Sequence, residues 1–260
     1  MDLIKKGDKN DNVKKIQQAL GITVDGIFGP KTEEAVKTFQ SENGLVSDGI
    51  VGSLTWAKMF KDDNTIKITK GFINVHITRS PNRPIKYIAI HYTAGGSSKP
   101  GSAMGVRNVF LKRNASADFA VDDATIVQIN PDLRNYYTWS VGDKKNPYSD
   151  GGKLYGKATN KNTISIEICS NLKPGFSASA ANHAGWYFTE ASIENAKKLV
   201  RYLMDLYNIS KENVVRHYDI SGKICPGIIG WNDFKIYSKE GKATTERSTS
   251  SEWKKFLNSL

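Results

Sequence analysis

Cysteine and histidine are scarce in this chain, with two Cys and four His among 260 residues. Two cysteines cannot build a disulfide framework, so stability must come from packed apolar cores. No apolar run is long enough to cross a bilayer. The opening MDLIKKGDKNDN lacks the apolar stretch of a secretory leader, so synthesis in the cytoplasm without a signal peptide is expected. There is also no Lys/Arg block, although the net charge is +11. That balance favours anionic partners, whether nucleic acid, anionic lipid or an acidic wall polymer. The lysines are scattered, which argues against nucleic acid, and no such partner is expected.

The rest of the composition is ordinary, at 39% hydrophobic and 24% charged, as in soluble globular proteins. The length suffices for one large domain or two smaller ones, each with its own core.

An internal repeat marks the first 60 residues: DGIFGPKT, Asp25 to Thr32, returns as DGIVGSLT, Asp48 to Thr55. Asp-Gly makes a tight turn, and the second Gly gives the backbone freedom just before a helix. Pro30 falls where a first helical residue lacks an N–H partner anyway. Val13, Ile16 and Leu20 share one helical face, Ala35, Val36 and Phe39 a second, and Leu54, Trp56, Met59 and Phe60 a third. Gly21 and Gly44 end the first two helices. The segment is read as a three-helix domain over 1–62.

Lys61 to Lys70 is polar, and a linker is expected over 63–73. Strand and helix then alternate. KYIAIHYT (86–93), ADFAVDD with TIVQIN (117–130), TISIEICS (163–170) and NVVRHY (213–218) read as strands. Ser102 to Arg113 reads as a helix. Thr189 caps a long one with Ile193, Ala196, Leu199, Val200 and Leu203 on one face. The fold class is therefore α/β, a mixed central sheet flanked by helices over 74–240, beside the small helical domain. A polar linker and a short amphipathic helix, with Trp253, Phe256, Leu257 and Leu260 on one face, are expected over 241–260. That helix should dock on the protein rather than on a membrane.

The rare residues converge in one stretch, VRHYDISGKICPG, Val215 to Gly227. His217 ends its strand, and Cys225 returns eight positions later. Alternation along KYIAIHYT puts His91 opposite the Ile88, Ile90 and Tyr92 face, and the same parity in TISIEICS separates Glu167 from its isoleucines. Two imidazoles and a thiolate suit Zn2+, which takes N and S ligands tetrahedrally and keeps a fourth position open when catalytic. Singly, each histidine reads as a half-buried packing residue. A Cys169–Cys225 disulfide would destroy such a site, so Cys169 is read as a buried free thiol. His76 and His183 are read as surface or packing residues. Trp186 to Phe188 should pack under the long helix, and Tyr148 to Gly152 should form a mobile loop at the groove rim.

Two resemblances follow from these residues. VKKIQQALG, VDGIFGPKTEEAVKTFQ, GLVSDGIVG and LTWAKM, within Val13 to Met59, resemble the peptidoglycan-binding domain found beside wall hydrolases. IAIHYTA, ADFAVDD, TWSVGD, ISIEIC and HYDISGKICPG resemble, from about Asn74 to Phe234, the zinc-dependent N-acetylmuramoyl-L-alanine amidases. That family includes phage enzymes, bacterial autolysins and animal peptidoglycan recognition proteins. The resemblance implies Zn2+ on His91, His217 and Cys225, catalysis by Glu167 and Lys223, and a substrate groove near Thr93, Trp139 and Ser140. It implies peptidoglycan as partner, with anionic wall polymers helping retention. A phage endolysin is the first expectation for origin and an exported autolysin the second.

The chain departs from the family twice. Asp118-Phe119 stands where many members have His-Tyr, and Ala117 occupies the neighbourhood of a tyrosine some members use in catalysis. Ser140 stands where many have His in Trp-His-x-Gly. The first departure puts more weight on Glu167; Ser140 can hydrogen-bond substrate but cannot act as an imidazole would, and neither departure touches the expected metal ligands. Alternatives are a silent wall-recognition protein, a zinc hydrolase of another peptidoglycan amide, and, on charge alone, a nucleic-acid binder.

Overall fold

The computed structural model describes residues 3–60, 66–94, 102–142, 144–178, 184–237 and 243–260. His183 and Asp143 lie outside the described residues, as do parts of both expected linkers. The chain divides into two compact units, Met1–Ile66 with Arg201–Leu206, and Lys67–Val200 with Tyr207–Leu260.

The first unit holds α1 (Asp11–Ala19), α2 (Pro30–Glu42) and α3 (Ser53–Phe60). Pro30 opens α2, as its missing N–H allows. The repeat has a physical basis that apolar spacing alone missed. Gln17, buried on α1, donates to Asp25 Oδ1 at 2.7 Å, Ile27 O at 3.0 Å and Thr32 Oγ1 at 3.1 Å, and accepts from Gly26 N at 2.8 Å. Gln40 on α2 makes the same four bonds to Asp48, Ile50, Thr55 and Gly49, at 2.9, 2.9, 3.1 and 2.8 Å. Each DG turn is thus tied to the preceding helix by a buried amide. The turns put Gly26 and Gly49 at φ of +74° and +76°, where a Cβ is strained. The buried face of α2 is accordingly Thr32, Val36 and Gln40, while Ala35 and Phe39 are half-buried.

The second unit is built on a six-stranded mixed sheet of order β1-β5-β4-β7-β3-β10. Its strands are β1 (Ile68–Lys70), β3 (Tyr87–Tyr92), β4 (Phe119–Val121), β5 (Ile126–Gln128), β7 (Thr163–Ile168) and β10 (Val214–Arg216). Smaller pairings join β2 (Ile77–Arg79) to β6 (Tyr136–Thr138), β8 (Asn171–Leu172) to β9 (Trp186–Tyr187), and β11 (Asn232–Tyr237) to β12 (Ala243–Thr249). β7, β3 and β10 run parallel at one side of the sheet. Ile88, Ala89, Ile90, Ile164 and Ile166 are all buried, as central parallel strands require. The helices are α4 (Ala103–Phe110), α5 (Glu190–Tyr207), α6 (His217–Ser221) and α7 (Ser251–Asn258).

Several expectations hold. Ser102 and Thr189 cap α4 and α5, accepting from Gly105 N at 3.0 Å and Ser192 N at 3.1 Å. Cys169 is a buried free thiol. Others need correction. Ile68–Lys70, expected within a linker, forms edge strand β1, and Ile73 enters the core. The polar run after Gly241 is strand β12, because pairing with β11 satisfies its backbone whatever its side chains. His217 lies past the end of β10 and opens α6. The loop at Tyr148–Gly152, expected to be mobile, is tied to α6: Gly152 N donates to Tyr218 O at 2.9 Å, and the Tyr218 hydroxyl donates to Asp150. Phe188 packs edge-on against Trp231, with centroids 4.9 Å apart.

Candidate active site and metal centre

Three adjacent parallel strands bring the site together at their carboxyl ends, where open α/β sheets place ligands. His91 sits near the end of β3, and its register partner on β7 is Glu167. His217 follows β10, whose Arg216 pairs with Ile90. Cys225 comes back along the loop after α6. One ligand-type atom from each of His91, His217 and Cys225 lies within 4.8 Å of the others, and all three residues are buried. The two imidazole centroids are 4.6 Å apart, and the Cys225 thiol is 3.8 Å from His91 Nδ1.

The donor set fits a zinc ion. His217 Nε2 donates to the Val141 carbonyl at 3.1 Å, which leaves Nδ1 as the lone-pair nitrogen, buried and without a hydrogen-bond partner. His91 Nε2 is likewise buried and unpartnered. Unpaired buried nitrogens are costly, and a metal ion is one group that satisfies them. Burial holds the proton affinity of His91 well below its ordinary value, with His217 and Lys223 adding to the effect. Burial, then Lys223, holds His217 near 3 against the Val141 bond. Both rings are therefore neutral at pH 7, as ligation requires. Burial pushes the Cys225 thiol up to about 12, so in the metal-free chain it keeps a proton that ligation would displace.

A cavity of about 360 Å³ holds these three residues together with Glu167, Lys223, Thr93, Trp139 and Ser140. The residues assigned from sequence to the metal, to catalysis and to the groove thus line one space. Glu167 Oε2 is buried and unpartnered. Burial raises the carboxyl to about 7, although Lys223 and Arg113 pull the other way. Trp139 is partly exposed, and its indole N–H donates to Thr78 Oγ1 at 2.9 Å. The hydroxyls are largely engaged: Ser140 Oγ lies 2.5 Å from Ser165 Oγ, and Thr93 Oγ1 accepts from Ser170 N at 3.1 Å.

Some residues of the site carry no signal in the sequence. Arg113 lines the same cavity. An adjoining, more open cavity of about 420 Å³ shares Trp139, Ser140, His217 and Lys223, and adds Lys144 and Lys145. Asn160 Oδ1 accepts from Ser140 N and Val141 N at 3.0 and 2.9 Å, fixing the carbonyl that orients His217. Asp118, where many members of the resembled family have histidine, is fully buried. It pairs with Arg83 at 3.3 Å and accepts from Asn130, Thr138 and Ser165 N at 2.6, 3.0 and 2.8 Å. It is a framework residue beneath Ser165 and Ser140. His76 is also a packing residue, 2.9 Å from Phe110 O through Nδ1 and 5.6 Å from the Trp139 ring.

Comparison with known proteins finds relatives for both segments. The peptidoglycan binding domain family model matches residues 9–59. The chain is 31% identical over 172 residues to the N-acetylmuramoyl-L-alanine amidase CwlL of Bacillus licheniformis, covering 62% of this chain and 42% of that protein. It is 33% identical over 177 residues to the N-acetylmuramoyl-L-alanine amidase XlyA of Bacillus subtilis (strain 168), covering 65% and 50%. The chain thus spans about half the length of the curated relatives it matches. The solved structure of PlyL aligns at 28% identity with a TM-score of 0.44, over 62% of this chain and 87% of that one. The N-acetylmuramoyl-L-alanine amidase family model matches residues 81–228, more than half of the sequence, and the chain belongs to that family.

Proposed function

We propose that the chain is a zinc-dependent peptidoglycan hydrolase acting at the bacterial cell wall. It cleaves the amide between the lactyl group of N-acetylmuramic acid and the L-alanine of the stem peptide. The observation that carries this reading is the meeting of His91, His217 and Cys225 in the cavity that also holds Glu167 and Lys223.

His91, His217 and Cys225 hold the ion. When bound, zinc polarises a carbonyl and lowers the pKa of water to ~7. Glu167 takes a proton from the attacking water and delivers it to the departing L-alanine nitrogen. Burial in the cavity favours its protonated form, which the delivery half of that cycle requires. Lys223 holds positive charge near the carbonyl oxygen as it becomes an oxyanion. Trp139 offers an aromatic face to the sugar or the stem peptide. Arg113, Lys144, Lys145 and Lys223 make the walls electropositive, and Glu167 is the only carboxylate among the described lining residues. Such walls suit a substrate rich in carboxylates on an anionic wall. The first unit, matched by the peptidoglycan-binding model, retains the enzyme on its substrate.

Digestion of purified peptidoglycan by the wild type, by Glu167→Ala and by chelator-treated protein tests the reading, with products identified by mass spectrometry. New L-alanine amino ends and free muramoyl carboxyls, lost with the substitution and with chelator, are expected. Wall binding without cleavage would make this a recognition protein. Release at a different amide would overturn the substrate assignment.

A further inference from the structure

The family match stops at residue 228, while the second unit continues through a compact terminal body. Trp231 is buried at its centre, with ring centroids 5.9 Å from Trp253 and 5.4 Å from Phe256. The first turn of α7 closes on the same turn of chain: Glu252 N and Trp253 N donate to Gly230 O at 2.9 and 3.1 Å. Such aromatic packing fixes position as well as burying area.

This body grips the loop that carries His217 and Cys225 at two points. Asn232, fully buried, donates its side-chain amide to the carbonyl of Pro226, the residue after Cys225. Arg216, the residue before His217, is buried and divides its guanidinium among three partners. Nη1 donates to Trp231 O at 3.0 Å and lies 3.4 Å from Asp233 Oδ1. Nε and Nη2 donate to Asp219 Oδ2 and Oδ1 at 2.9 and 2.7 Å, and Asp219 also accepts from Arg216 N at 2.8 Å. The guanidinium carbon stands 5.6 Å from the Trp253 ring centre and 5.5 Å from that of Tyr218. Only a planar, multiply donating cation fills this position, and lysine does not reproduce it.

We infer that Gly230–Asp233 and α7 brace the ligand loop, with Arg216 as the positioning residue that couples them to His217 and Cys225. The inference rests on the zinc reading of those two residues. Groups that hold ligands in place typically change metal affinity by about 10- to 100-fold when removed.

The test uses the full chain, Arg216→Lys, Trp253→Ala, and a control, Val127→Ala, in the buried core at β5, four strands along the sheet from β10. Two quantities are read: the rate of zinc release to a chromophoric chelator, and the visible spectrum of the Co2+-substituted protein. Arg216→Lys and Trp253→Ala are expected to release zinc about 10- to 100-fold faster and to alter the Co2+ bands. Val127→Ala is expected to lower thermal stability while leaving both readouts at wild-type values. Either test variant that folds decides the matter. Wild-type release and spectrum in it, or equal changes in Val127→Ala, would overturn the inference. A wild type that binds no zinc would instead overturn the functional reading beneath it.

Discussion

His217 donates its Nε2 proton to the Val141 carbonyl at 3.1 Å, and this one bond decides that Nδ1 is the nitrogen left for a ligand role. The Val141 backbone is in turn held by Asn160 at 2.9 Å. His217→Ala and Cys225→Ser are each expected to lose stoichiometric zinc, measured by atomic absorption. Amidase activity should fall with it by ~10³-fold or more, since several kcal/mol of charge stabilisation leave with the ion. Chelator should lower the melting temperature of the wild type and leave that of Cys225→Ser unchanged.

Glu167 sets a pH dependence in the metal-free protein. Its carboxyl is raised from 4.5 to about 7 on folding, chiefly by burial. Stability carried by the protonated group is therefore complete below pH 4.5 and is lost as pH rises through 7. Glu167→Gln cannot ionise. It is expected to be more stable than the wild type by about 3 kcal/mol at pH 8, with no gain at pH 4, while activity is abolished. Urea melts of chelator-treated proteins at the two pH values check this. Equal differences at both would contradict a buried carboxyl.

Lys223 is assigned to the developing oxyanion. Lys223→Met should lower kcat by about 10²- to 10³-fold with little change in KM, because the interaction grows only as charge develops. Steady-state kinetics on a soluble muropeptide separates this from a binding role, which would raise KM instead.

Lys144 and Lys145 line only the outer cavity. Replacing both by Met should weaken attack on intact wall by about 10-fold at low ionic strength, and the deficit should shrink as salt screens the wild type. Rates across a salt series give the slope. An unchanged slope would remove these lysines from the encounter.

Gln40 ties the second DG turn to α2 through four hydrogen bonds. Gln40→Ala strands several buried polar groups and should cost the first unit about 2–4 kcal/mol. Retention on sedimented wall should fall while hydrolysis of a soluble muropeptide persists. Loss of both would argue that the second unit depends on the first.

Much of this was legible in the residues. Apolar period, capping residues and the DG repeat located the three helices of the first unit, because short-range geometry dictates those features. Strand parity placed His91 and Glu167 off the isoleucine faces, and the buried runs of β3 and β7 marked the centre of the sheet. The rare His and Cys of one loop pointed to a metal, because few other roles concentrate them.

Pairing across the chain could not be read in the same way. Ile68–Lys70 is short and Ala243–Thr249 polar, and they become strands because β5 and β11 supply their backbone partners. Buried amides at Gln17 and Gln40 look like surface residues until the turns fold over them. Arg113, Lys144 and Lys145 carry no distinguishing spacing and reach the cavities only through the loops that bear them. The residues alone specify which chemistry is available: two imidazoles, a thiol, a carboxylate and a lysine at usable positions. Folding brings them into one buried space, selects the nitrogen of His217 left for a ligand, and sets Trp231, Asn232 and Arg216 against the loop. Those depend on contacts between residues far apart in the chain, which local propensity does not encode.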